Sequence, residues 1–253
     1  MSQEPDNHEH EEQLAEGTLM SHLLELRSRL MKATAAVVVI FLALTPFTQR
    51  VFEVVSAPLI AVLPEGSQMI ATDVASPFVT PFKTTFFVAL FLAMPVVLFQ
   101  IWQFVAPGLY KREKKFAIPL IVSSILLFYT GMAFAYFVVF RLMFSFFAKV
   151  VPGGVTMAPD ISSYLTFVLG IFLAFGIAFE VPIATVMLIW SGLVSLKTLQ
   201  AGRRYVFLGA FVVGAVLTPP DVFSQTLLAV PMYLLYEGGM IMAKIMLPEK
   251  TKQ

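Results

Sequence analysis

The chain has 253 residues, of which 58% are hydrophobic and 13% are charged, and its mean hydropathy is +0.83. Soluble domains carry about 25% charged residues, so this composition excludes an ordinary soluble protein and is typical of a chain that crosses a membrane several times. The formal net charge is only +1, and the absence of cysteine excludes structural disulfides and thiolate metal sites.

The first 16 residues contain six acidic residues and no Lys or Arg. This is the opposite of the basic start of a signal peptide, so no cleaved presequence is indicated. The composition predicts a disordered acidic tail over residues 1–17, a single membrane domain over 18–247 and a short cytoplasmic tail over 248–253.

Residues 18–33 predict an amphipathic helix on the membrane surface that leads into the first span. Its apolar stripe consists of Met20, Leu23, Leu24, Leu30 and Met31. Arg27 lies within this stripe and has two interpretations: its guanidinium reaches lipid phosphates, or it pairs with an acidic group on another segment. Glu25 lies on the opposite arc, four residues before Arg29, where an ion pair along the helix is expected.

Apolar runs predict six membrane-spanning helices, because about 20 apolar residues cross the hydrocarbon core. They lie at residues 32–47 (extendable to 52), 84–104, 116–148, 161–190, 205–217 and 222–247. The predicted fold class is therefore an all-α polytopic membrane protein. The fifth run spans only about 20 Å at 1.5 Å per residue, less than a hydrocarbon core of about 30 Å.

The distribution of basic residues predicts the orientation. An even number of spans places both chain ends on one side of the membrane. That side holds 13 of the 17 Lys and Arg residues, and the positive-inside rule therefore predicts that both termini are cytoplasmic. The other side holds only Arg50, Lys83, Arg141 and Lys149.

The outer loop at residues 48–83 contains Pro58, Pro64, Pro77 and Pro81, so its apolar pieces are too broken to cross the membrane. They predict short helices that cap the outer face. Asp73 is positioned to N-cap the second of them.

The loop "FVAPGLYKREKKF", residues 104–116, contains one carboxylate, Glu113, among four cations. The cations favour the ionised form of Glu113. One interpretation is an incidental acid in a positively charged loop. The other is an acceptor for a cationic ligand, with Phe104, Pro107 and Tyr110 as an aromatic edge suited to a guanidinium or an aliphatic stem.

Glu180 lies near the middle of the fourth predicted span, where a carboxylate is costly and is a functional-site hypothesis by default. The alternatives are a structural polar contact or a glutamate kept neutral by burial. Pro182 is expected to bend this helix near Ala178. Gln225 is another polar group on a span, and Asp221, after two prolines, is predicted to N-cap the last helix.

Nucleotide-binding, zinc-protease and serine-hydrolase motifs are absent from the sequence. We therefore expect no enzyme activity, no cofactor and no metal site.

The segments "HLLELRSRL", "SAPL", "IATDVASPF", "FVAPGLYKREKK", "FGIAFEVP" and "FVVGAVLTPPDVFSQTLLAVPMYLLYE" together resemble the TatC family, the multispanning subunits of the twin-arginine protein translocase. The resemblance runs from about residue 18 to 244. It implies six helices arranged as a curved, concave wall in the bacterial inner membrane, with both termini cytoplasmic and short fifth and sixth spans.

The resemblance also implies that the chain binds signal peptides with consecutive arginines and passes folded proteins across the membrane, using the proton-motive force. Glu113 and Phe104 would be the main contacts, Glu25 a second carboxylate, and Arg27 part of the same region. Two further residues have implied positions: Pro58 in the outer cap and Glu180 facing the concave groove.

The implied partners are single-span subunits of the TatA and TatB type. They would pack near the last two spans, with Gln225 at a contact, and the chain would also associate with itself in a receptor complex.

Two other functions are weighed against translocation. A proton-coupled transporter of a small solute, built around Glu180, would be expected to contain internal repeats, and the first three spans show no repeat in the last three. A purely structural scaffold would tolerate alanine at both Glu180 and Glu113.

Overall fold

The computed structural model describes residues 6–60, 69–105, 114–150 and 158–247. In chain order the helices are α1 (Asp6–Leu44), α2 (Thr48–Ile60), α3 (Ser76–Val105), α4 (Lys114–Phe134), α5 (Phe140–Val150), α6 (Ile161–Ala178), α7 (Val181–Trp190), α8 (Leu196–Leu217) and α9 (Val222–Met246). The described residues contain no β-strand, only one isolated bridge between Ile70 and Asp160. The predicted all-α fold is confirmed.

Five segments of the described chain are long and apolar enough to cross a membrane: Leu23–Ala57, Ser76–Val105, Ile118–Phe147, Ile161–Trp190 and Val222–Met246. The predicted fifth span, residues 205–217, lies in α8, which is not among the five. The first half of α8 carries Lys197, Arg203 and Arg204, which lower the mean hydropathy of this helix. α9 has 25 residues and coincides with the sixth predicted run, residues 222–247.

Prolines and one π-helical turn divide the long apolar segments. α6 ends at Ala178, and α7 begins with Pro182 in its first turn, where a missing N–H costs nothing. The predicted bend near Ala178 is confirmed. Pro46 lies in the 3₁₀ turn Thr45–Phe47 between α1 and α2, and a π-helical turn at Ala135–Val139 separates α4 from α5.

The core lies where α3, α4 and α6 meet. Phe128 and Phe175 are fully buried there. α4 and α6 approach so closely at Gly131 that a Cβ atom on this residue would lie 2.4 Å from the carbonyl oxygen of Phe175. Outward-facing apolar side chains such as Phe137 and Val216 are 69% and 80% exposed, as expected for helices whose outer surface faces lipid.

The antiparallel helices give the molecule two ends. We call one the basic end: it carries Arg27, Arg29, Lys32, Lys197, Arg203, Arg204 and Lys244. We call the other the loop end: it consists of α2, residues 69–75, Asp160 and the turn at residues 218–221.

The loop between the first two spans differs in part from the prediction. Its first piece is a separate helix, α2, as expected. The second piece is not a separate helix, because α3 begins at Ser76 and includes Pro77 and Pro81. Asp73 precedes α3, and its Oδ1 accepts a hydrogen bond from the Ala75 N–H at 3.3 Å.

α1 begins at Asp6 and continues to Leu44, so it includes both the predicted surface helix and much of the acidic segment before it. The surface helix is therefore the first part of a longer helix. The division of the chain into a tail and a membrane domain stays a prediction.

Candidate functional site

An arginine at the basic end joins α1 to the end of α3. Arg29 donates to Oε1 of Glu25 through Nε at 2.9 Å and through Nη2 at 2.6 Å. Its remaining nitrogen, Nη1, donates to the side-chain oxygens of Gln100, at 3.4 Å, and of Gln103. The ion pair expected along α1 is confirmed, and it extends to two amides that lie more than 70 residues away in the sequence.

The two faces of α1 explain this contact. The residues of its apolar stripe are exposed, and Leu23 and Leu30, for example, are 58% and 63% accessible. Glu25 and Arg29 are half-buried. The polar arc of the helix therefore faces α3, while the apolar stripe faces outward, as the surface of a helix next to lipid does.

The structure describes only some of the other predicted binding residues at this end. Phe104 lies in the last turn of α3, directly after Gln103, and is half-buried. Arg27 is exposed, and within the described part of the chain it makes no ion pair. Pro107, Tyr110 and Glu113 lie outside the described residues, so their predicted roles stay predictions.

A second polar cluster lies inside the membrane-spanning part. The indole Nε1 of Trp102 donates to Oγ of Ser124 at 2.8 Å, and the Ser124 hydroxyl donates to Oε2 of Glu180. Glu180 is the residue before α7, at the break between α6 and α7. Its other oxygen, Oε1, is buried and accepts no hydrogen bond from the described residues.

These hydrogen bonds agree with the structural interpretation of Glu180, and its functional interpretation stays a prediction. The carboxylate makes a structural contact, since it joins the break between α6 and α7 to α3 and α4 through Trp102 and Ser124. Sequence reasoning missed Ser124, because the pair Ser123–Ser124 looks uniform in an apolar run, yet Ser124 is fully buried and Ser123 is exposed.

Asp160 joins two segments of the loop end. It N-caps α6 by accepting from the Ser163 N–H at 2.8 Å, and it accepts from the N–H and hydroxyl of Thr72 at 3.1 and 2.8 Å. Next to it, Ile70 donates to the carbonyl of Pro159, and Ile161 donates to that of Ile70. The backbone N–H groups of Ser163 and Thr72 hold the pKa of Asp160 well below its usual range.

The remaining predicted residues also lie at this end. Oδ1 of Asp221 accepts from the Ser224 N–H at 2.7 Å, which confirms the predicted N-cap of α9. Gln225 is half-buried, and its backbone packs against Gly214 of α8. Pro58 lies in α2, but its side chain is outside the described part of the structure. The implied roles of Gln225 and Pro58 stay predictions.

Comparisons with known proteins identify the family. The family model of the Sec-independent protein translocase protein TatC matches residues 21–231. The chain belongs to the TatC family. It is 62% identical over 221 residues to TatC of Azotobacter chroococcum mcd 1, covering 87% of each chain. It is 58% identical over 226 residues to TatC of Escherichia coli strain K12, covering 89% of this chain and 88% of the relative.

The fold supports the same conclusion. A crystal structure described as the twin-arginine translocase receptor TatC superposes with a TM-score of 0.80 and 37% identity, covering 88% of this chain and 98% of that one. The chain is therefore a TatC-type subunit of a protein translocase. Its span-length helices and these relatives make it a multi-pass membrane protein.

Proposed function

We propose that this TatC chain binds the twin-arginine signal peptides of folded precursor proteins at its basic end. Glu113 and Phe104 are the main contacts and Glu25 is a second carboxylate, with Arg27, Pro107 and Tyr110 in the same region. The chain lies in the bacterial inner membrane with both termini in the cytoplasm. It acts in transport and not as an enzyme: with copies of itself and single-span TatA- and TatB-type subunits, it supports transport driven by the proton-motive force.

The observation that supports this proposal most directly is the contact between Glu25 and Arg29. The carboxylate accepts two N–H groups from a guanidinium, which is the group that a twin-arginine peptide presents. The same guanidinium contacts Gln103, the residue next to Phe104. Glu25 is thus joined to the turn that carries the predicted aromatic contact, at an end of the molecule rich in basic residues.

Site-specific photocrosslinking from position 113 tests the proposal. Inverted membrane vesicles that contain the full chain are mixed with a twin-arginine precursor or with a matched twin-lysine precursor. We expect crosslinks to the twin-arginine precursor alone, because a guanidinium offers a carboxylate two parallel N–H donors and an ammonium does not. The control probe is placed at position 193, an exposed site of the 191–195 turn, and should give no difference between the precursors.

Equal crosslinking of both precursors, or none, with intact protein in the membrane would contradict the proposal. That result would favour a small-solute transporter, which would use the buried Oε1 of Glu180. Membership of the TatC family favours protein transport over that alternative.

A further inference from the structure

Arg29 already occupies one carboxylate of the proposed signal-peptide site. Both of its contacts with Glu25 go to the same oxygen, Oε1. The side chain of Arg29 is 20% exposed and that of Glu25 is 36% exposed. The pair therefore lies at the edge of the protein, within reach of a ligand from solution. A guanidinium in this position is chemically equivalent to the group that an incoming arginine would bring.

The end of α3 determines the orientation of Arg29. The acceptors on Gln100 and Gln103 take Nη1, which leaves Nε and Nη2 aimed at Glu25. All three nitrogens of the guanidinium are thus engaged. The amide oxygens of α3 hold the planar guanidinium of Arg29 in one orientation. The side chain therefore loses less conformational entropy when it binds Glu25.

We propose that Arg29 is an internal competitor for the guanidinium of the signal peptide at Glu25. The inference rests on the proposed function. In the free protein the Glu25–Arg29 contact closes this part of the site, and a signal-peptide arginine binds there by displacing Arg29. The fraction of open sites multiplies the affinity of every ligand that needs Glu25 by the same factor. Weakly binding cationic segments are thereby kept below useful occupancy.

Binding of synthetic signal peptides to the full chain in lipid nanodiscs tests this role. The probes are a fluorescent twin-arginine peptide and the same peptide with two lysines, and the dissociation constant of each is measured by anisotropy. We expect Arg29→Gln to tighten both peptides by the same factor, roughly two- to fivefold, the range for a partly exposed ion pair. The ratio between the two peptides stays unchanged. Arg29→Lys should give a smaller change in the same direction.

Two matched variants separate competition from a general effect of charge. Lys32→Gln removes the same charge from an exposed position on the same helix and should leave both dissociation constants unchanged. Gln103→Met removes one acceptor of Arg29 without changing the charge, and should tighten both peptides slightly. If Arg29→Gln does not fold, Gln103→Met still tests whether Arg29 competes with the peptide for Glu25.

The outcomes distinguish the competitor role of Arg29 from the proposed binding of signal peptides. If Glu25→Gln weakens the twin-arginine peptide while Arg29→Gln weakens both peptides or leaves them unchanged, the site exists and the competitor does not. Equal tightening in Lys32→Gln would also overturn the competitor, since charge alone would explain it. If the unaltered chain binds neither peptide, the proposed function and this inference both fail.

Discussion

Ser124 connects two buried polar groups that lie on different helices. It accepts from Trp102 of α3 and donates to Glu180 at the break between α6 and α7. A buried donor or acceptor without a partner costs about 1–3 kcal/mol. One hydroxyl therefore satisfies two groups that the apolar surroundings would otherwise penalise.

We predict that Ser124→Ala lowers the free energy of unfolding by about 1–3 kcal/mol, because the Trp102 N–H and one Glu180 oxygen lose their partner together. The measurement is the fraction of protein that remains monodisperse after heating in detergent. Thr130→Ala on the same helix is the control: Thr130 is exposed, and within the described residues its hydroxyl bonds only to the Leu126 carbonyl, so the change should have little effect.

A double variant tests whether the two residues act as one unit. Ser124→Ala combined with Glu180→Ala should destabilise less than the sum of the single changes, since both remove the same hydrogen bond. Strict additivity would mean that the Ser124–Glu180 contact contributes nothing to stability.

At the scale of elements, Asp160 and Thr72 hold residues 69–75 against the start of α6. The carboxylate caps α6 and accepts two hydrogen bonds from Thr72, beside the backbone bonds of Ile70 and Ile161. Because the pKa of Asp160 is lowered in the folded protein, its stabilising effect is complete above the ordinary carboxyl pKa of about 3.9 and is lost as the pH falls through the lowered value.

We expect Asp160→Ala to reduce the hydrogen-exchange protection of the Ile70 and Ile161 amides, which form the bonds between the segments. Thr72→Val should have a smaller effect, because the Thr72 N–H still donates to Asp160. Protection in the unaltered protein, corrected for intrinsic exchange, should be constant from about pH 8 to pH 5. A loss of protection between pH 7 and pH 5 would contradict the assignment to Asp160.

Two neighbouring glycines of α9 have opposite surroundings. A Cβ on Gly239 would lie 2.8 Å from Cα of Pro182 and 3.1 Å from Oγ1 of Thr185, both on α7. A Cβ on Gly238 would meet no atom within 4 Å. Only Gly239 is therefore required by the close packing of α9 on α7.

Gly239→Ala should destabilise the protein by about 1–3 kcal/mol, because the backbone of α7 has to move. Gly238→Ala should be neutral or stabilise it by up to about 1 kcal/mol, because alanine favours the helix. Both are measured by thermal aggregation in the same detergent. Equal stability of the two variants would show that α9 does not pack on α7 in this way.

At the scale of the whole molecule, the two ends differ in charge, and the charge predicts which end faces the cytoplasm. The chain has no cysteine, so single cysteines can report on each end. Val74 is 99% exposed at the loop end, and Leu193 is 67% exposed in the turn before α8 at the basic end.

We predict that a membrane-impermeant maleimide labels Val74→Cys in intact spheroplasts and labels Leu193→Cys only in inverted vesicles. The cysteine-free parent chain is the control for background labelling. The reverse pattern would invert the orientation and would remove the basic end from the compartment in which precursors are made.

Features that depend on neighbours in sequence were predictable. Asp221 caps α9, which begins one residue later. Pro182 separates α7 from α6, and Glu25 pairs with Arg29 one turn further along α1. Contacts between distant segments were not. Neither the contact of Arg29 with Gln103 nor that of Ser124 with Glu180 follows from periodicity, because every face of a lipid-embedded helix is apolar and the pattern does not indicate which faces meet.

Hydropathy, proline and charge act locally along the chain, so they were enough to predict the class of protein, the approximate number of helices, their breaks and the orientation. Its long motifs also indicated the family. Three features became visible only in the folded chain: α1 turns Glu25 and Arg29 toward α3, Ser124 joins Trp102 to Glu180, and the second loop piece belongs to α3. These are outcomes of packing, in which small differences in contact between apolar surfaces choose one arrangement among many.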